Sequence, residues 1–301
     1  MEKVLNRSSC VVSLGEVLWD VQPGGRTPGG APANFACHVA QFGLPTLLVS
    51  AVGADALGDE LRGFLSRQAF EPLLATVQEP TGTVHVALDQ AGVPRYDIRT
   101  EVAWDYIPFT PALDALSRQA AAVCFGSLAQ RSPVSHATIQ RFVSAMARQP
   151  DTWRIFDVNL RPPFADSAVV RASIRLCNVL KLSDEELSVA ARMEEIDAHA
   201  EPEAVCRTLL ERHGLRYVVL TCGARGSWVY AADGTARFSA APRVRVASTV
   251  GAGDSFTAAF AAALLRGCDA RQAHELATRV SAYVCTQAGA MPPLPAALTA
   301  R

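Results

Sequence analysis

Apolar residues come in short unbroken runs along this chain, each followed by a stretch with helical spacing. The runs at residues 10–14, 46–52, 121–125, 154–158, 179–182 and 217–220 are rich in Val, Leu and Phe and predict strands. Segments 33–42, 59–68, 135–148 and 202–213 lie between them and predict helices. A strand that is apolar throughout needs cover on both faces. The alternation therefore predicts an α/β fold, three layers deep, around a mostly parallel central sheet. Ligands of such sheets bind beyond the carboxyl ends of the strands.

One region breaks the rhythm. Val84, Val86 and Leu88 alternate with His85, Ala87 and Asp89, and Gln90-Ala91-Gly92 then turns the chain into a second extended segment at 93–99. Together with the Gly- and Pro-rich stretch 22–30, this hairpin predicts a small antiparallel β-lid that closes over substrate, pairs with a second subunit in a homodimer, or does both. Trp104 and Tyr96 near the lid suit either stacking on a ligand or covering the core. The Ala-rich tail 292–301 predicts a loosely held end.

Composition narrows the classes. A chain of 301 residues, 50% apolar, can bury a full core, and with no internal repeat or linker it reads as a single domain over 1–301, with lid segments at about 19–31 and 82–105. Lys and Arg total 28 against 29 Asp and Glu, with no basic stripe, which argues against nucleic acid and favours a small-molecule partner. The eight cysteines include no CxxC pair, and several sit in apolar runs, so they read as reduced core residues of a cytoplasmic protein. No basic region precedes a long apolar stretch, so neither a signal peptide nor a membrane span is expected.

The most informative segment is Val250-Gly251-Ala252-Gly253-Asp254-Ser255-Phe256, followed at once by an apolar, Ala-rich stretch that ends before Gly267. A Gly-Ala-Gly turn leading into a buried helix presents free amides and the positive end of a helix dipole, which suits an anion. Asp254 then stands beside that anion, either as a reacting carboxylate or as a helix cap. Four more segments fit the first. Gly15-Glu16-Val17-Leu18-Trp19-Asp20 closes the first strand and places Asp20 at its carboxyl end. Gly29-Gly30-Ala31-Pro32-Ala33-Asn34 opens a helix with close backbone approach and an amide side chain. Asp157-Val158-Asn159-Leu160-Arg161 ends another strand, and Thr221-Cys222-Gly223-Ala224-Arg225-Gly226 ends a fourth.

Taken together, these segments resemble the ribokinase-like (PfkB) family of carbohydrate kinases, and more narrowly its fructokinase branch. The resemblance covers nearly the whole chain and rests chiefly on Gly-Gly-Ala-Pro-Ala-Asn and Gly-Ala-Gly-Asp-Ser-Phe in that order. It implies a kinase that uses ATP and Mg²⁺ to phosphorylate a primary hydroxyl of a small sugar, D-fructose first among them. By the same resemblance Asp254 is the general base, the amides of Gly251, Ala252 and Gly253 form the anion hole, and Arg161 stands near the sugar or the phosphates. Asp20, Gly29, Gly30, Asn34 and Tyr96 correspond to sugar-binding positions. Lys181, Thr221, Gly223, Gly226 and Gly253 correspond to nucleotide contacts. Glu186 belongs to a motif tied indirectly to magnesium, with Ser183 standing where Asn is usual. Family members commonly carry an Asp before the Gly-Ala-Gly turn that helps to hold potassium; here Ser248-Thr249-Val250 lacks it, which implies a weakened monovalent-cation site.

Other readings are open. The chain has no GxxxxGK[ST] loop and no third glycine of a dinucleotide fingerprint, which excludes a P-loop kinase and disfavours a dehydrogenase. A kinase of ribose, a nucleoside or 2-keto-3-deoxygluconate competes, as does a non-catalytic sugar sensor, although a sensor has no need of Asp254.

Overall fold

The computed structural model describes residues 10–88 and 94–300, with the side chains of 86–88 and 94–96 outside the description. Its strands in chain order are β1 (Val11–Leu14), β2 (Leu18–Gln22), β3 (Gly25–Gly29), β4 (Thr46–Gly53), β5 (Glu71–Val77), β6 (Thr83–Leu88), β7 (Pro94–Ile98), β8 (Ala122–Gly126), β9 (Trp153–Asp157), β10 (Val179–Ser183), β11 (Tyr217–Thr221), β12 (Ser227–Ala231) and β13 (Ala236–Ser239). The helices are α1 (Ala31–Gln41), α2 (Ala56–Leu65), α3 (Pro111–Ser117), α4 (Pro133–Ala147), α5 (Ser167–Leu176), α6 (Asp184–Met193), α7 (Pro202–His213), α8 (Ala252–Leu265), α9 (Ala270–Cys285) and α10 (Ala296–Thr299).

Nine strands form the central sheet in the order β13-β12-β11-β10-β9-β8-β1-β4-β5. Pairing is parallel from β5 to β11, as the apolar runs predict, and antiparallel at β12 and β13. One face packs against α3 to α7 and the other against α1, α8 and α9, so the layers are three, as the sequence predicts. Because all the parallel strands point the same way, their carboxyl ends gather Gly126, Asp157, Ser183 and Thr221 along one edge.

Local capping explains where the helices begin. α2 starts at Ala56, ahead of the expected 59, because the Asp55 carboxylate accepts the Gly58 amide at 2.7 Å. α8 is buried on all sides from Ser255 to Leu264, and its alanines let α1 and α9 approach closely. It ends as the sequence predicts: the Cys268 amide donates to Ala263 O and the Gly267 amide to Leu264 O, both at 3.0 Å, with Gly267 at φ 82°. The tail corrects an expectation. Far from being loosely held, α10 buries Leu298 against the α8 layer, and Gln41 clamps the segment by donating to Pro292 O and accepting from the Leu294 amide.

The lid is a second sheet of four strands, β3-β2-β6-β7. β2–β3 and β6–β7 are antiparallel hairpins as expected, but β2 and β6 pair in parallel, so the lid is mixed. Asp20 is also placed differently from the expectation. β1 stops at Leu14, the chain leaves the central sheet through Gly15 and Glu16, and Asp20 lies on lid strand β2 opposite Val84. Trp19 Nε1 donates to Leu57 O at 3.0 Å and Arg26 pairs with Glu60, tying the lid to α2. Trp104 is core: it is 1% exposed and the Arg131 guanidinium lies over its ring at 3.8 Å, so it is not free to stack on a ligand. The turn 89–93 and the Tyr96 side chain lie outside the described residues, and only the backbone pairing of Tyr96 with Val86 is defined.

Candidate active site

Two helix N-termini converge above the strand ends. α8 is preceded by Gly251 in the left-handed region (φ 78°), and a Cβ there would sit 2.8 Å from Ala290 Cα, so only glycine makes this turn. No side chain caps the helix, which leaves its first turn directed outward. The Ala252 amide, one of three expected in the anion hole, donates instead to Thr249 O at 3.2 Å. α1 is preceded by Gly30 (φ 109°), whose missing Cβ gives room to the Glu16 carbonyl.

Asp254 is the third residue of α8, so it is not a cap. Asn34 Nδ2, from α1, donates to Asp254 Oδ2 at 2.7 Å, while Asn34 Oδ1 is buried without a partner. An amide fixed at one end by Asp254 and unsatisfied at the other is prepared for a hydroxyl donor. Burial pushes the Asp254 carboxyl up to about 6 and the neighbouring Asp157 adds to this, against the pull of Asn34, Lys181 and Arg161.

Asp157, at the end of β9, is held from two sides. Lys181 Nζ on β10 donates to its Oδ1 at 2.9 Å and Thr257 Oγ1 on α8 to its Oδ2 at 3.0 Å. Burial pulls Lys181 down, but Asp157 and Glu186 hold it above its ordinary value, so it stays an ammonium. Its Nζ would touch a Cβ at Gly253 at 3.1 Å, which places a fixed positive charge against the first turn of α8.

Arg161 is exposed on the loop after β9, and its charge is felt by Glu16, Asp20 and Asp254. Asp20 is raised by partial burial, with Arg161 opposing, and its carboxylate fills the space that a Cβ on Gly29 would need. Glu186 is built into the scaffold: its Oε1 accepts the Leu160 amide at 2.6 Å and its Oε2 the Ser183 amide at 2.8 Å, while Ser183 Oγ accepts the Glu186 amide. This capping box starts α6 and braces the loop that carries Arg161. Among the described residues no group of three or more His, Cys, Asp or Glu side chains is arranged to hold a metal ion.

Thr221, Gly223 and Gly226 lie in the tight turn between β11 and β12, closed by the Cys222 amide donating to Gly226 O at 2.8 Å and pinned to α6 by Arg225 and Asp184. The strand-end edge thus has Asn34 and Asp254 on one side and the 221–226 turn on the other, with Lys181 and Gly253 between, while Asp20 stands on the lid beside Gly29. The sequence motifs assign no role to Glu16 or Thr257, and place Asp157 with Asp20 and Asn34 only as a strand-end residue where a ligand site belongs. Each is an ordinary polar residue until the fold buries it at this edge.

Comparisons with known proteins agree with this fold. The family described as "pfkB family carbohydrate kinase" matches residues 4–297. A nucleoside kinase from Methanothermobacter thermautotrophicus is 29% identical over 89% of this chain and 81% of its own length. A fructokinase from Salmonella typhimurium is 29% identical over 83% of each chain. Among solved structures, a putative ribokinase II from E. coli superimposes with a TM-score of 0.82 at 22% identity, covering 95% of both chains, and its complex with ATP and Mg²⁺ gives 0.80. No helix among the described residues is long and apolar enough to cross a membrane.

Proposed function

The chain belongs to the pfkB family of carbohydrate kinases, and on that premise we propose that it transfers the γ-phosphoryl group of Mg·ATP to the 6-hydroxyl of D-fructose. The observation that carries the reading is the Asn34–Asp254 hydrogen bond at the uncapped start of α8, a half-buried base beside an anion site. Asp254 accepts the hydroxyl proton as the oxygen attacks, and its raised ionisation matches a base working near neutral pH. The outward-facing first turn of α8 and the Lys181 ammonium meet the charge of the transferring phosphoryl group. Asp20 and Asn34 Oδ1 orient the sugar hydroxyls, and lid strand β2 carries Asp20 with it as the lid closes. ATP lies along the 221–226 turn. Magnesium bound with ATP would neutralise the phosphate oxygens, and Glu186, beside Lys181 and already accepting the Leu160 and Ser183 amides, is the carboxylate that would act on it indirectly.

Fructose stands first because Gly-Glu-Val-Leu-Trp-Asp and Gly-Gly-Ala-Pro-Ala-Asn are fructokinase-like, and a fructokinase is among the relatives. The nucleoside kinase is equally identical, so the acceptor panel must include adenosine beside ribose and 2-keto-3-deoxygluconate. The expected result is the highest kcat/KM with fructose; a higher value with ribose or adenosine would reassign the specificity and leave the phosphoryl-transfer site intact.

The cation preference is a separate prediction. Ser248 replaces the carboxylate that the family commonly offers potassium, and its hydroxyl already accepts the Val250 amide at 3.2 Å. Without that hard, charged ligand, potassium is expected to add little, so rates in sodium or tetramethylammonium should match those in potassium. A several-fold activation specific to potassium would mean that other groups build the site.

A further inference from the structure

Glu16 is the polar residue of this edge that the reaction above leaves unused and that has a buried oxygen with no partner. It sits where the chain leaves β1 for the lid, is 3% exposed, and its Oε2 is buried with no hydrogen-bond partner. An ionised carboxylate oxygen in that position would be a buried charge without a donor, one of the most costly arrangements a protein can hold. Glu16, Asp157 and Asp254 line a common cavity of about 20 Å³, together with Ser13, Asn159 and Thr257. That space suffices for one water, and its lining supplies more than the two polar partners a buried water needs.

The charges of the cluster point the same way. Its carboxyls are Glu16, Asp157 and Asp254, its cations Lys181 and Arg161, and Cys124, which also lines the cavity, stays a neutral thiol because burial raises it. Lys181 is committed to Asp157 at 2.9 Å, and Arg161 is solvent-exposed. Glu186 also acts on Lys181 and Asp20 on Arg161, so the two cations do not offset all the nearby carboxylates; Glu16 and Asp254 feel each other's charge, and which of the two holds a proton decides whether Asp254 is a base. We propose that Glu16 carries the proton through the catalytic cycle and that a single water in this cavity relays its O–H hydrogen bond to Asp254, leaving Asp254 ionised. Glu16 is then a positioning residue: its acid O–H donates to the water, the water donates to the Asp254 carboxylate, and no bond to hydrogen breaks. Burial, which pushes Glu16 up to about 7 against the nearby main-chain amides of Glu16 and Ala31 and the charge of Arg161, is consistent with this order of ionisation.

The inference rests on Asp254 as the base, but its test does not depend on activity. Infrared difference spectra of the full chain, ligand-free at neutral pH, wild type minus Glu16→Gln, should contain a carboxylic-acid C=O stretch. Where Glu16→Gln fails to fold, the same band is sought in wild-type protein carrying ¹³C-labelled glutamate, by its isotope shift. Absence of a protonated glutamate at neutral pH overturns the proposal. Kinetics add a second discriminant. Gln copies the neutral acid and can donate to the water, so Glu16→Gln should keep kcat within about threefold and leave the acid limb of its pH profile in place. Glu16→Ala removes the donor and should move that limb upward by roughly half a pH unit to one unit. A downward shift in both variants would mean that Glu16 is charged beside Asp254, and the proposal fails. Loss of the base reading would instead appear as a fully active Asp254→Asn enzyme, with the infrared result still decisive for Glu16.

Discussion

Asp254→Asn is expected to lower kcat by roughly 10²–10⁴-fold while binding of ATP and sugar changes far less, the signature of a lost general base. Asn keeps an acceptor oxygen for Asn34 Nδ2, and Gly251 rather than Asp254 occupies the cap position, so the substitution spares both the hydrogen bond and the start of α8. Its folded ionisation near 6 lies above the ordinary value of 3.8, so the folded state binds the proton more tightly. Ionising Asp254 therefore costs stability as pH rises from about 4 through about 6, and Asp254→Asn removes that cost, so melting at neutral pH should be unchanged or slightly higher. The same ionisation sets the wild-type acid limb: kcat should fall as pH drops through about 6. A folded variant with more than about a tenth of the wild-type kcat would contradict the assignment.

Lys181→Met is expected to cost both stability and rate. The pair with Asp157 is 2.9 Å long and its side chains are 10% exposed, so removing the ammonium strands a buried carboxylate, which typically costs about 3–5 kcal/mol. For a chain of this size the melting midpoint should fall by roughly 2 °C or more for each kcal/mol. Turnover should also fall, because the charge against Gly253 is gone. The double variant Lys181→Met, Asp157→Asn separates the two effects: neutralising the stranded carboxylate should restore much of the stability and none of the turnover. A single variant that melts within about 1 °C of wild type would show that the pair is solvated and contributes little.

The layered fold was legible because apolar runs and helical stretches alternate from 10 to 220, broken only by the lid region. The edge strands were not. β5 and β13 are half-exposed along their length, so neither reads as an unbroken apolar run, while β12 is buried but short and turns straight back into β13. The lid hairpin at 83–98 was visible in its alternation, but its parallel junction with β2 depends on where the chain leaves β1, which no local signal marks. That same departure moved Asp20 from the central sheet to the lid. The site followed a similar division. Asp254, Asn34 and the two glycine turns announce themselves by motif, and the structure joins Asn34 to Asp254 across the whole chain. Glu186 is different: its motif was visible, but its carboxylate spends its main-chain hydrogen bonds on a capping box and on Leu160. Glu16 and Thr257 acquire meaning only through burial, which depends on the packing of α1 against α8.

The central claim is that this chain moves a phosphoryl group from ATP to a sugar. The direct measurement is ADP formed against sugar phosphate formed, with Mg·ATP in the presence and absence of fructose and the rest of the acceptor panel. The account predicts ADP release that requires an acceptor sugar and matches the sugar phosphate mole for mole. ADP released at the same rate with no sugar present, or no transfer to any member of the panel by the folded protein, would contradict it.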